Sequence, residues 1–218
     1  LTDTIDYVTI ATKGNALDFG NQLDSKATYA GVGNEIRGIF GGGNPEASAS
    51  KTDGIDYITI ASKGNSLDFG NLLQATASLC GAASPTRGLF FGGYTPTVIN
   101  TIQYVTIAST GNAKDFGDLS RSNTQEAMAC ANAIRGICAG GGPSAVNAIE
   151  FVTISSMGNA FDFGELVNPG QSTMGALASS TRGLISTNDT TELDIEMIEI
   201  LTTGNAVDFG DLSVARDI

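Results

Sequence analysis

Asp18, Asp68, Asp115, Asp162 and Asp208 each precede a Phe-Gly pair. An Asp-Phe-Gly triplet can hold magnesium beside a transferring phosphate. Such a site also needs a glycine-rich loop, a strand lysine and a catalytic loop carrying histidine and aspartate. The chain contains no histidine, which removes that loop, the usual Ser-His-Asp triads and most zinc sites. The triplet also recurs, in "KGNALDFGN" (13–21), "KGNSLDFGN" (63–71), "TGNAKDFGD" (110–118), "MGNAFDFGE" (157–165) and "TGNAVDFGD" (203–211). A catalytic metal ligand is needed once, so five copies point to architecture. In that setting each Asp accepts backbone N–H bonds beside a turn. The competing chemistry is a calcium ring, but equivalent carboxylates spread around a rim stand too far apart to share one ion.

The remaining reactive side chains offer little. Arg37, Arg87, Arg135 and Arg182 each precede Gly and an apolar pair ("RGIF", "RGLF", "RGIC", "RGLI"). A guanidinium at the start of a strand suits pairing with a neighbouring carboxylate or carbonyl; a functional ring of arginines around a channel is the alternative. Paired carboxylates can hydrolyse glycosides, yet no non-repeated pair stands out, and Glu35 and Glu126 have no obvious partner in sequence. Cys80, Cys130 and Cys138 match no zinc spacing. They read as buried small hydrophobes, with a Cys130–Cys138 bridge as the other option. No metal and no cofactor are expected.

Composition narrows the partners. The 218 residues carry 11 Lys+Arg against 23 Asp+Glu, a formal net charge of −12. That argues against nucleic acid, which needs clustered cations, and against anionic membrane surfaces. No apolar run approaches the ~20 residues of a membrane span. No signal peptide is visible and the chain does not begin with Met, so the start is expected to be processed or to belong to a longer chain. With 28 glycines, no tryptophan and 41% hydrophobic residues, many turns and closely approaching backbones are favoured over a helical bundle.

The elements that must position these residues follow from the repeat. The phenylalanines of the triplets stand at 19, 69, 116, 163 and 209, and the Arg-Gly signature keeps a matching interval. Each unit parses into four short strands: a small-residue strand, an apolar strand stopped by a double glycine, a Tyr/Val/Ile/Thr strand, and the Asp-Phe-Gly strand, with a Gly-Asn turn before the last. Four antiparallel strands per ~47 residues is the size of a propeller blade. The first strand carries Gly31, Gly81, Ala129 and Ala176 at one position, and Gly33, Ala83, Ala131 and Ala178 two residues later. Tiny residues in register fit strands converging on a central axis.

The expectation is therefore an all-β protein. It is a single propeller domain over 1–218, with an outer strand pair at 5–20 and full blades at 24–70, 73–117, 120–164 and 168–210. A partial strand follows at 213–218. Five blades are expected, one of them incomplete and built from both chain ends. The fourth full unit is atypical, with "LISTND" in place of the double glycine, and atypical terminal units often act as caps. If the incomplete blade stays open, its edge is a strand-pairing site for another chain.

The double glycine, the aromatic strand after it, and the fourth strand ending in Asp-Leu before a Ser/Arg turn resemble the kelch blade, with Phe116 and its equivalents standing where kelch repeats carry Trp. The whole unit, "YVTIASTGNAKDFGDLS…RG…GGG", also resembles kelch-like repeats of tailed-bacteriophage virion proteins of the tail or capsid-decorating kind. That resemblance implies a non-enzymatic structural or adhesive module in an extracellular particle, binding another virion subunit or a host-surface glycan. A cellular kelch-like interaction scaffold and a carbohydrate-active propeller enzyme are the alternatives. Propellers bind through loops, and the loop between second and third strands differs in every unit. Asn44, Glu46, Tyr94, Thr97, Asn147, Asn188 and Asp189 are the contact candidates.

Overall fold

The structure, a computed structural model, describes residues 1–45, 50–122, 124–170, 175–186 and 194–213. The described residues contain strands and turns and no helix. Four antiparallel four-stranded sheets form the blades of a β-propeller, preceded by a two-stranded sheet. In the first blade the strands run Ala30–Gly33, Arg37–Gly41, Gly54–Thr59 and Leu67–Asn71, from innermost to outermost. The second blade has Cys80–Ala83, Arg87–Phe91, Thr101–Thr106 and Lys114–Asp118. The third has Met128–Ala131, Arg135–Ala139, Val146–Thr153 and Phe161–Gly170. The fourth has Ala176–Ala178, Arg182–Ser186, Asp194–Glu199 and Val207–Asp211. The N-terminal pair, Thr4–Tyr7 with Leu17–Asn21, is an outer hairpin alone. No described strand completes it from the C-terminal end, and residues 214–218 lie outside the described residues.

The core lies between blades, because each sheet is apolar on both faces. Ile39, Ile55, Phe69 and Leu72 of the first blade pack on Phe90, Val105 and Ile107 of the second. Leu89, Ile102, Phe116 and Leu119 of the second pack on Cys138, Val152 and Ile154 of the third. Ile137, Ile149, Phe163 and Leu166 of the third pack on Ile185, Ile198 and Ile200 of the fourth. Where two innermost strands lie side by side a tiny residue is required: a Cβ on Gly81 would lie 2.7 Å from Val32 and 2.9 Å from the Gly31 carbonyl, whereas one on Gly31, with no blade before it among the described residues, would meet nothing within 4 Å.

The three thiols are all free and buried, so the Cys130–Cys138 bridge is not formed. Cys80 and Cys138 instead face each other across two blades, sulfur to sulfur at 3.9 Å. Burial pushes the Cys130 thiol up to about 12, and the Cys138 sulfur together with burial holds Cys80 well above the ordinary value. Because all three sulfurs are buried, and Cys80 and Cys130 are also held from the reactive thiolate form, a disulfide-exchange reagent at pH 8 should modify none of the three in the folded protein and all three in denaturant. Native-state labelling of any one would show that its blade joint opens.

Candidate functional site

The repeated motif builds the joint between blades. In every outer hairpin the ladder slips by one residue, so the phenylalanine of the triplet is bulged out: Ile55 faces Gly70 and Asp56 faces Asp68, which leaves Phe69 without a partner in its own sheet. A bulge frees a carbonyl, and the next blade uses it. Gly111 N donates to Phe69 O at 2.7 Å, and Ala113 N to Asn71 O at 2.8 Å. Asn71 N in turn donates to Asn112 Oδ1 at 3.1 Å. The same set joins Phe19 to Gly64, Phe116 to Gly158 and Phe163 to Gly204, with Asn65, Asn159 and Asn205 as the side-chain acceptors. The Gly-Asn pair therefore serves the joint, and the chain reversal before it is closed by Ser62 N donating to Thr59 O.

The triplet glycine lets two backbones touch. Gly70 has φ +145, and a Cβ there would lie 2.6 Å from the Gly111 carbonyl. The triplet aspartates are all exposed, and Asp208 accepts a bond from Gly210 N at 2.9 Å, as turn chemistry predicts. Among the described residues no group of three or more Asp, Glu or Cys could hold a metal ion.

The arginines also work across joints. Arg37 Nη1 donates to Ile107 O at 2.9 Å, Arg87 Nη1 to Ile154 O at 2.7 Å, and Arg135 Nη1 to Ile200 O at 3.0 Å. Each guanidinium also stacks on a ring of its own blade: Tyr57 at 4.7 Å, Tyr104 at 4.9 Å and Phe151 at 4.3 Å. A planar cation that stacks and donates at once cannot be replaced by lysine. Arg182 differs, pairing in the open with Glu199 of its own blade at 2.9 Å.

One repeated position escaped the sequence reading. Asp56, Gln103, Glu150 and Glu196 follow the conserved-in-register isoleucine of each third strand and are buried. Each takes up groups at the chain's passage to the next innermost strand. Asp56 accepts from the Lys26 ammonium and from Ser66 Oγ. Gln103 Oε1 accepts from Leu73 N. Glu150 accepts from Ser120 N and pairs with Arg121 at 2.8 Å. Glu196 accepts from Val167 N at 2.8 Å and Asn168 N at 3.0 Å, with no cation bonded to its carboxylate in the described contacts. A polar residue at this register on an otherwise apolar strand face was the available signal.

Burial pushes the Glu196 carboxyl above its ordinary value, with Asp194 and Asp208 adding to the rise and the two N–H bonds opposing it. The folded state then holds its proton more tightly than the unfolded state. The stability this confers is full below the ordinary carboxyl pKa and is lost as pH rises through the raised value. Glu196→Gln, which installs the residue found at position 103, should match the parent at low pH and exceed it at neutral pH. Urea midpoints across pH 3–8 check this; parallel curves for the two proteins would refute it.

Of the loop candidates, Asn44, Tyr94, Thr97 and Asn147 lie within the described residues, on the segments that follow the second strands. In the first three blades the loop after the second strand folds over the segment leading into the innermost strand, through Ala27–Asn44, Ala77–Tyr94 and Gln125–Gly142 pairings. Asn44 Nδ2 donates to Thr28 Oγ1 at 3.1 Å, and Lys51 of the first blade sits over the Tyr94 ring of the second at 4.5 Å. Thr97 is exposed at its loop tip, and Asn147 is half-buried at a bulge in the third blade. Glu46, Asn188 and Asp189 lie outside the described residues. Neither a known protein-family model nor a curated protein matches this chain.

Proposed function

We propose that the chain is a non-enzymatic structural or adhesive module acting through this loop face. The setting implied by the repeat's resemblance is a bacteriophage particle, where the loop face binds another virion subunit or a host-surface glycan. One observation carries the reading. Arg37, Arg87 and Arg135, the asparagines at 65, 112, 159 and 205, and the bulged phenylalanines at 19, 69, 116 and 163 are engaged in joints between blades, whereas the loops differ from blade to blade in sequence. A recurring frame with variable loops is how a propeller separates stability from recognition. Tyr94, half-buried beneath Lys51, is the aromatic anchor such a face offers.

Screening the chain against a bacterial surface-glycan array and against dissociated phage particles tests the proposal. Tyr94→Ala should weaken the observed binding at least tenfold while leaving the thermal midpoint near that of the parent. Binding that ignores the loop substitutions, or turnover of any glycan retained, would sink it.

A further inference from the structure

The joint is made between each outer hairpin and the next, and then stops with both of its halves still present in the chain. At the last blade, Phe209 is 54% exposed, whereas Phe69, Phe116 and Phe163 are each 2% exposed. A Cβ on Gly210 would meet nothing within 4 Å, unlike one on Gly70, Gly117 or Gly164. Among the described residues no bond reaches Phe209 O or Asp211 O from a following Gly-Asn-Ala turn. Arg182, whose counterparts donate to the next blade, turns back to Glu199.

An open apolar hollow of about 200 Å³ lies on the same face, lined in part by Leu177, Leu184, Ile195 and Leu212. Their counterparts in the third blade are Cys130, Ile137, Ile149 and Leu166, all buried against the fourth. The hollow is thus the uncovered half of a fourth inter-blade core. At the other end of the molecule the N-terminal hairpin offers the complementary half. Ile10 is 98% exposed where Ile107 and Ile200 are 0% exposed, and Val8, Gly14, Asn15 and Ala16 are exposed beside it.

We infer that the outward face of the last blade docks a further outer hairpin of this same repeat, supplied from outside residues 1–218. The joints dictate the chemistry of that hairpin. It brings a Gly-Asn-Ala or Gly-Asn-Ser turn whose amides bond Phe209 O and Asp211 O. Its asparagine carbonyl receives Asp211 N, a backbone carbonyl receives Arg182, and two aliphatic side chains fill the hollow. A second whole copy of the chain does not fit. The hairpin and four blades already take five positions around the axis, two copies would need ten, and propellers close with roughly four to eight. The vacancy suits a hairpin or as many as about three blades. This inference is independent of what the loop face binds.

The probe is a cyclised peptide of residues Thr4–Asn21, whose ring closure reduces the ordering cost of binding, titrated into the full chain by fluorescence anisotropy. Saturable one-to-one binding is expected. Arg182→Ala and Phe209→Asp, both at exposed sites, should each weaken it at least tenfold, as should Asn15→Ala in the peptide. A scrambled peptide should not bind. Absence of saturable binding, or binding insensitive to all three substitutions, overturns the inference. Sedimentation of the chain alone supplies the other arm: a monomer is expected, and self-association abolished by Phe209→Asp would overturn the inference in favour of a second copy.

Discussion

Replacing Gly70 by alanine lowers the stability of the chain by roughly 4 kcal/mol, while the same change at Gly210 costs about 1–2 kcal/mol. Both glycines hold a positive φ, +145 and +140, so both substitutions pay the same backbone strain. Only at Gly70 does the new methyl also strike the neighbouring blade, 2.6 Å from the Gly111 carbonyl. That atom is backbone, fixed by the bond from Gly111 N to Phe69 O, and cannot swing away. The blades must separate, which breaks the bonds of the joint and exposes part of the core beneath Phe69, Leu72 and Ile107. Urea unfolding followed by circular dichroism compares the two variants. Equal losses would mean that the triplet glycine is selected for conformation alone and that the joint contributes nothing.

Glu150→Ala should cost about 3–5 kcal/mol, the usual consequence of removing one member of a buried ion pair. The Glu150 side chain is 3% exposed and its partner Arg121 is 15% exposed. The carboxylate holds Arg121 Nε and Ser120 N together. Arg121 also donates to Gly140 O at 2.8 Å and Ala148 O at 3.0 Å, so the guanidinium stays in place after the truncation and loses the Glu150 carboxylate. Glu150→Gln keeps an acceptor for Ser120 N, as Gln103 does for Leu73 N, and should lose about half as much. Thermal midpoints at two salt concentrations separate the contributions. A full-sized loss for Glu150→Gln would place the effect in the ion pair, and a negligible loss for Glu150→Ala would show that the buried carboxylate is dispensable.

The blades were legible in the sequence because a repeat of four strands exposes its own registration. The tiny residues of the innermost strand recur in step with the Arg-Gly signature, and only convergence on an axis demands such residues. The purpose of the signatures was legible only in kind: the arginines do pair with a carbonyl or a carboxylate, as their position at a strand start suggests, but which blade supplies it was not. Arg37 and Ile107 are 70 residues apart, and spacing within one unit does not reveal a partner in the next. The Gly-Asn pair looks like a hairpin turn by local rules, yet Gly111 and Asn112 turn their hydrogen bonds outward to the preceding blade. The triplet suggested a role for its aspartate, whereas the bulge hands the working role to the phenylalanine carbonyl. The buried polar set at 56, 103, 150 and 196 was hidden because the residue type varies among Asp, Gln and Glu while the register does not. For the loop face the legibility was partial: Asn44 and Tyr94 do lie over the lead-in to their innermost strands, but nothing in composition announced that Lys51 would stack on Tyr94.

The joint is the repeating unit of the molecule, made four times among the described residues and left open once. Native-state amide hydrogen exchange reads it residue by residue. The amides of Gly64, Gly111, Gly158 and Gly204, each bonded to the preceding blade's phenylalanine carbonyl or, for Gly64, to that of the N-terminal hairpin, should exchange slowly. Those of Gly14 and Ala16, exposed at the unmatched end, should exchange faster by roughly two orders of magnitude or more. Equal protection of Gly14 and Ala16 would show that the chain closes its fifth joint on itself, and the open docking face would not exist.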